Sequence, residues 1–203
     1  VAKELGIIYV DTGAMYRAVA YFCMEKNVST LDEKSVLSLL SKMKLEILPQ
    51  RDGQRILLDG QDITNKIRTQ EVGRGASDVA KIRSVRQKLG DMQKEMAENA
   101  TVIMDGRDIG THVLPEAEVK IYMDAGVEER AKRRMGELES KGESPVFDVI
   151  KKEIILRDEA DMNREHNPLR QASDAVCLDT TKMSIDEVVR EILIITKQRI
   201  GMV

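Results

Sequence analysis

Four short apolar runs punctuate the chain, and each closes on an aspartate. They are Ile7-Ile8-Tyr9-Val10-Asp11, Thr101-Val102-Ile103-Met104-Asp105, Val119-Lys120-Ile121-Tyr122-Met123-Asp124 and Ala175-Val176-Cys177-Leu178-Asp179. Runs of this length predict strands buried on both faces. Between them, apolar positions recur at helical spacing over Thr12 to about Lys26, Ser84 to Asn99, Val127 to about Lys141, Val146 to Asn163 and Ser184 to about Arg199. Ser84 with Gln87, Ser184 with Glu187, and Thr30 with Glu33 before a helix to about Lys42 have capping-box spacing. Strands alternating with helices of this length predict an α/β fold, a parallel sheet with helices on both faces. Ligands of open parallel sheets sit beyond the carboxyl ends of the strands, where all four aspartates fall. Asp124 and Asp179 read as caps on the helices that follow, whereas the neighbours of Asp11 and Asp105 point to function.

Two segments break the alternation. From about Leu39 to Asp78 the text turns to short strands and tight turns: Leu45 to Leu48, the turn Pro49-Gln50-Arg51-Asp52-Gly53, Ile56 to Leu58, then Asp59-Gly60. This predicts a small hairpin-bearing insertion. Glu139 to Pro145 is irregular and follows the basic helix end Arg130-Ala131-Lys132-Arg133-Arg134, so it could hinge a flap. Val1 to Gly6 reads as the last turns of a helix closed by glycine, and predicts that further chain precedes it.

Composition narrows the function classes. With 42% hydrophobic and 33% charged residues, 13 Gly and 4 Pro in 203 residues, the chain is neither disordered nor low-complexity. A net charge of −3, from 32 basic against 35 acidic residues, does not suit a protein whose main partner is a nucleic-acid backbone. Aromatics at 3% supply no base-stacking platform. No apolar stretch approaches a membrane span and no signal peptide opens the chain, so a cytoplasmic protein that engages no membrane is expected. Cys23 and Cys177, the two cysteines, lie in apolar settings and read as buried thiols in a reducing compartment.

The densest chemical signal is Asp105-Gly106-Arg107-Asp108-Ile109-Gly110-Thr111. Two acids and a guanidinium beside two glycines place charge where backbone can approach a ligand, which a purely structural loop would not need. In Asp11-Thr12-Gly13-Ala14-Met15-Tyr16-Arg17, Thr12 can cap the next helix and Arg17 is placed to reach over the sheet edge. Arg157, Asp161 and Arg164, spaced four and three apart, share one helix face, where a solvated ion-pair ladder is the plainest account.

Together, in order and spacing, these segments resemble the bacterial cytidylate kinases, a family of P-loop nucleoside monophosphate kinases. The resemblance runs from Val1 to about Arg199 and takes in Ser77, Arg86 and the Glu129 to Arg134 helix. It implies a five-stranded parallel core over 1–38 and 79–203, a monophosphate-binding insertion at 39–78, and a lid at about 130–148. It also implies transfer of the γ-phosphate of ATP to CMP or dCMP by a monomer, with Mg²⁺. Arg17, Arg107 and Arg164 would hold the CMP phosphate; Arg157 and Asp161 would address the ribose, with Arg157 also reaching the transferring phosphate. Asp108 would accept from the cytosine amino group while Arg86 and Ser77 donate, with Thr12 also in the substrate site. Asp105 would orient Mg²⁺ or its waters, and Arg133 and Arg134 would belong to the lid over ATP. The family's Gly-rich phosphate-binding loop ending in Gly-Lys-Ser/Thr, and its first strand, are absent from these 203 residues. The 203-residue chain alone is therefore expected to be inactive. If that loop is truly missing from the protein, a non-catalytic nucleotide-binding module is the alternative; a related small-molecule kinase with another acceptor is the second.

Overall fold

The computed structural model describes residues 1–50 and 53–201. The contacts divide the chain into two compact units, Ala2–Ile109 and a unit from Gly110 onward.

The first unit starts with helix α1 (Ala2–Leu5), closed by Gly6 at φ +66°, a left-handed conformation that glycine adopts freely. Strand β1 (Ile8–Asp11) feeds helix α2 (Thr12–Glu25), whose residues Ala14, Met15, Ala18, Val19, Phe22 and Cys23 are buried at helical spacing. Helix α3 (Glu33–Leu40) is capped by Asp32, which accepts from Ser35 N–H; Thr30, the expected cap, instead donates to Asp78 at 3.0 Å. Then come strands β2 (Leu45–Gln50), β3 (Gly53–Leu58) and β4 (Gln61–Asp62), an antiparallel sheet in that order. Arg51 and Asp52, inside the predicted first turn, lie outside the described residues. The second turn is as read: Asp59 and Gly60 take φ +49° and +79°, the pair a two-residue hairpin requires.

After a single 3₁₀ turn (Lys66–Arg68) comes a helix that the sequence reading did not foresee, α4 (Gln70–Val79). Its glycines, Gly73 and Gly75, lower helix propensity, but Gly75 is what lets α4 close on α2: a Cβ there would stand 2.9 Å from Met24 and 3.1 Å from Ala20. Helix α5 (Arg83–Asn99) begins after Ile82 without a side-chain cap, so the Ser84–Gln87 box does not form; Gln87 bonds Asp91 one turn on. Strand β5 (Val102–Asp105) pairs parallel with β1, Ile8 opposite Val102 and Asp11 opposite Asp105. One apolar cluster runs through α2, α3, the antiparallel sheet, α4 and α5, with Met15, Val36, Ile56, Ile67, Val79 and Leu89 essentially inaccessible.

The second unit holds strand β6 (Ile121–Asp124), helices α6 (Val127–Glu139) and α7 (Phe147–Asn163), strand β7 (Val176–Asp179) and helix α8 (Ile185–Ile200). Strands β6 and β7 pair parallel, Ile121 opposite Val176 and Asp124 opposite Asp179. Ala131, Leu138 and Ile150 form a small core between α6 and α7. The Ser184–Glu187 capping box forms in full at the start of α8. Asp124 and Asp179 are not helix caps, because two residues separate β6 from α6 and five separate β7 from α8, and the caps are Gly126 and Ser184. They bond to the turn instead, Asp124 accepting from Ala125 N–H and Asp179 from Thr181 N–H.

Parallel strands with helices make the class α/β, as expected. The strands are less enclosed than expected: each has one partner among the described residues, and of the four only Val10 and Leu178 are buried. Cys23 is buried in α2, but Cys177 is exposed, since alternation along β7 turns it away from the side that buries Leu178. No helix among the described residues is long and apolar enough to cross a membrane.

Candidate functional site

Parallel in-register pairing puts Asp11 and Asp105 side by side where β1 and β5 end. Asp11, and not Thr12, caps α2: its Oδ1 accepts from Ala14 N–H at 2.9 Å, while Oδ2 pairs with Arg68 Nη1 at 2.8 Å. Thr12 is the first helical residue, and its buried hydroxyl donates to the Asp105 carbonyl at 2.6 Å. That contact requires glycine next door, because a Cβ on Gly106 would stand 2.6 Å from the Thr12 hydroxyl. Tyr9 donates its hydroxyl to Asp105 Oδ1 at 2.9 Å. Lost hydration, then the negative charge of Asp11, push the Asp105 carboxyl above the usual carboxylate range, against weaker pulls from Tyr9 and Arg107. The Tyr9 phenol is pushed up as well, by burial first and by Asp105 second.

The same unit brings Arg86 and Asp108 together. Both are buried, with side chains 3% and 8% exposed, and Arg86 Nη2 donates directly to Asp108 Oδ2. Arg86 also donates to the Ala80 carbonyl at 3.2 Å and lies 5.6 Å from the centre of the Tyr16 ring. Its Nε is buried and has no hydrogen-bond partner among the described residues. Ser77 sits on α4 with its hydroxyl on the Gly73 carbonyl at 3.4 Å. Arg17 reaches the 3₁₀ turn and the start of α4 rather than over the sheet edge, donating to the Ile67 and Thr69 carbonyls at 3.1 Å each. Gly73 makes room for it, since a Cβ there would stand 3.1 Å from the guanidinium. Arg107 is exposed.

In the second unit Arg157, Asp161 and Arg164 share one face, as their spacing requires. Asp161 is bracketed, Arg164 Nη1 at 3.5 Å and Arg157 Nε at 4.0 Å. The arrangement is no uniform solvated ladder: the Arg157 side chain is 52% exposed and that of Arg164 only 6%, with its Nε donating to the Asn167 carbonyl at 2.7 Å. Arg133 donates to the Thr180 carbonyl at 2.7 Å and pairs with Glu129, while Arg134 pairs with Glu137 at 2.9 Å. Arg130, paired with Asp158 at 2.7 Å, joins α6 to α7.

Four residues around these groups escaped the sequence reading as site residues: Tyr9, Tyr16, Gln54 and Arg68. Gln54 carried a signal, since period two along β3 places it on the buried face with Ile56 and Leu58. Arg68 carried none, because its partner lies 57 positions away. As to a metal, no cluster of three His, Cys, Asp or Glu side chains exists among the described residues. Mg²⁺ does not require one: it keeps several waters and commonly takes one or two carboxylates plus substrate phosphates. Two neighbouring carboxylates at the strand ends fit that demand, because a divalent cation would relieve the repulsion between Asp11 and Asp105.

Comparison with known proteins gives a consistent result. The family described as "Cytidylate kinase" matches residues 1–198. Among curated relatives carrying that name, one from Geobacillus sp. is 47% identical over 201 residues, covering 99% of this chain and 90% of its own length. One from Caldicellulosiruptor bescii is 50% identical over 192 residues, covering 95% and 85%. One from Bacillus subtilis is 46% identical over 199 residues, covering 98% and 89%.

Proposed function

The chain belongs to the cytidylate kinase family, and on that premise we propose that it transfers the γ-phosphoryl group of ATP to CMP or dCMP, giving CDP or dCDP. The observation that carries the substrate is the buried Arg86–Asp108 pair with its unpartnered Nε. Cytosine presents an amino donor beside ring-nitrogen and carbonyl acceptors, so its reader needs an acceptor next to donors. Asp108 is that acceptor and Arg86 the donor, held against Tyr16, with Ser77 as a second donor.

Phosphoryl transfer is catalysed by positioning and by neutralising charge spread over the transferred oxygens. Arg17, Arg107 and Arg164 bind the CMP phosphate, a task that suits the planar guanidinium fork. Arg157 and Asp161 engage the ribose hydroxyls, and Arg157 extends to the transferring phosphate. Thr12 holds the Asp105 backbone in place beside the substrate. Asp105 would hold Mg²⁺ or its waters, and the ion would supply positive charge for the phosphate oxygens. Residues 39–78 clasp the monophosphate, about 130–148 form the lid with Arg133 and Arg134, and the remainder is the core. The protein acts as a cytoplasmic monomer on small molecules, not on nucleic acid.

The test is ADP release by the full-length protein, with Mg²⁺ and ATP, on CMP, dCMP, UMP and AMP. Fastest turnover is expected on CMP or dCMP. A protein inactive on CMP and active on AMP would defeat the substrate assignment.

A further inference from the structure

Gln54 is a polar side chain, 8% exposed, on the apolar face of β3. A carboxamide is tolerated there only when both of its ends are paired. Both are, and by a single residue: Asp11 N–H donates to Gln54 Oε1 at 3.0 Å, and Gln54 Nε2 donates to the Asp11 carbonyl at 3.1 Å. The side chain thus gives the last residue of β1 the paired donor and acceptor that another strand's backbone would supply.

Asp11 is a junction. Its carboxylate caps α2 through Ala14 and pairs with Arg68, and it stands opposite Asp105 in the strand register. Thr12 follows it directly and holds the Asp105 carbonyl. A rotation of the Asp11 peptide would therefore move Thr12, the start of α2 and the strand ends together.

We propose that Gln54 is a positioning residue for phosphoryl transfer, fixing through the Asp11 backbone the places of Thr12 and Asp105. This rests on the functional reading above, in which those two residues serve the reaction. Gln54 does not touch substrate; its contribution is geometric, and small misplacements of reacting groups cost large factors in rate.

The experiment uses the full-length protein, its Gln54→Leu and near-isosteric Gln54→Met variants, and Arg55→Ala as a control on the exposed side of the same strand. Amide exchange at Asp11 is read by NMR, and kinetics with CMP and ATP are measured where circular dichroism shows each variant folded. Both Gln54 variants are expected to exchange the Asp11 amide roughly tenfold faster, the scale of one lost hydrogen bond. Their kcat should fall by about tenfold or more, with KM for ATP within about twofold of wild type, while Arg55→Ala leaves Asp11 amide exchange unchanged. Two results overturn the proposal: unchanged Asp11 exchange, or faster exchange with wild-type kcat, which would make the clamp purely structural. A wild-type protein inactive on CMP defeats the functional reading instead, and the exchange measurement still decides whether Gln54 holds Asp11.

Discussion

The two units hold their charged residues by different means. In Ala2–Ile109 a broad apolar cluster underlies the charged and polar side chains, and these are tied to buried backbone or to one another: Arg86 to Asp108, Thr12 to the Asp105 carbonyl, Gln54 to the Asp11 peptide. In the unit from Gly110 onward a core of three buried residues joins α6 to α7, and most arginines pair with acids on the helices themselves. The difference teaches where rigidity comes from. A buried ion pair has one geometry because every alternative leaves a charge uncompensated, whereas exposed helical pairs exchange partners with water at little cost.

Cutting the buried pair breaks this contrast most sharply. Asp108→Ala leaves the Arg86 guanidinium buried and unpaired, and should cost about 3–5 kcal/mol in urea denaturation. This is a larger structural penalty than a surface base-reading residue would carry. Asp108→Asn, which keeps an acceptor oxygen, should cost less and should shift the ratio of CMP to UMP turnover; a loss under about 1 kcal/mol for Asp108→Ala would show the pair is not buried as described.

A smaller effect of opposite sign is expected at Asp105. Its folded-state pKa is raised by lost hydration and by Asp11, so the folded protein binds this proton more tightly than the unfolded chain does. The ionised carboxylate therefore opposes folding, a penalty absent below the unfolded carboxylate pKa of about 3.9 and growing as pH rises through the raised value. Asp105→Asn should raise Tm at pH 7.5, with the gain vanishing towards pH 4, while kcat on CMP falls about 10²–10³-fold as expected for a charge-positioning group. A variant less stable than wild type at pH 7.5 would contradict the electrostatic account.

The smallest change is expected at Arg134, paired with an exposed glutamate three residues on. Arg134→Ala should alter stability by no more than about 0.5 kcal/mol, and salt should erase the difference. A salt-resistant loss several times larger would put the second unit on the same footing as the first.

Much of this was legible along the chain. The four Asp-terminated runs became β1, β5, β6 and β7, the Ser184–Glu187 box formed as its spacing required, and Asp59-Gly60 made its turn. These depend on interactions within a few residues, where spacing is geometry. The misses have a common cause. Thr12 and Thr30 both looked like helix caps, but a hydroxyl takes the better partner when one is near. Asp105 offered its carbonyl to Thr12 and Asp78 its carboxylate to Thr30, from 93 and 48 positions away. Helix α4 was hidden because its glycines serve the approach to α2 and to Arg17, at the expense of local helix propensity.

By itself the sequence determined the α/β class, the alternation of strands and helices, the turn-rich antiparallel segment, and the positions of the acids and arginines in the site motifs. Those follow from periodicity and residue chemistry, which act over short separations. Only the tertiary structure decided which of those charges would be buried, that Arg86 and Asp108 would neutralise each other against Tyr16, and that the Asp11 peptide would be paired by a glutamine 43 positions on. The reason is desolvation. A charge or peptide group removed from water must be matched by whatever the fold brings within about 3 Å, and that partner is set by packing between distant segments.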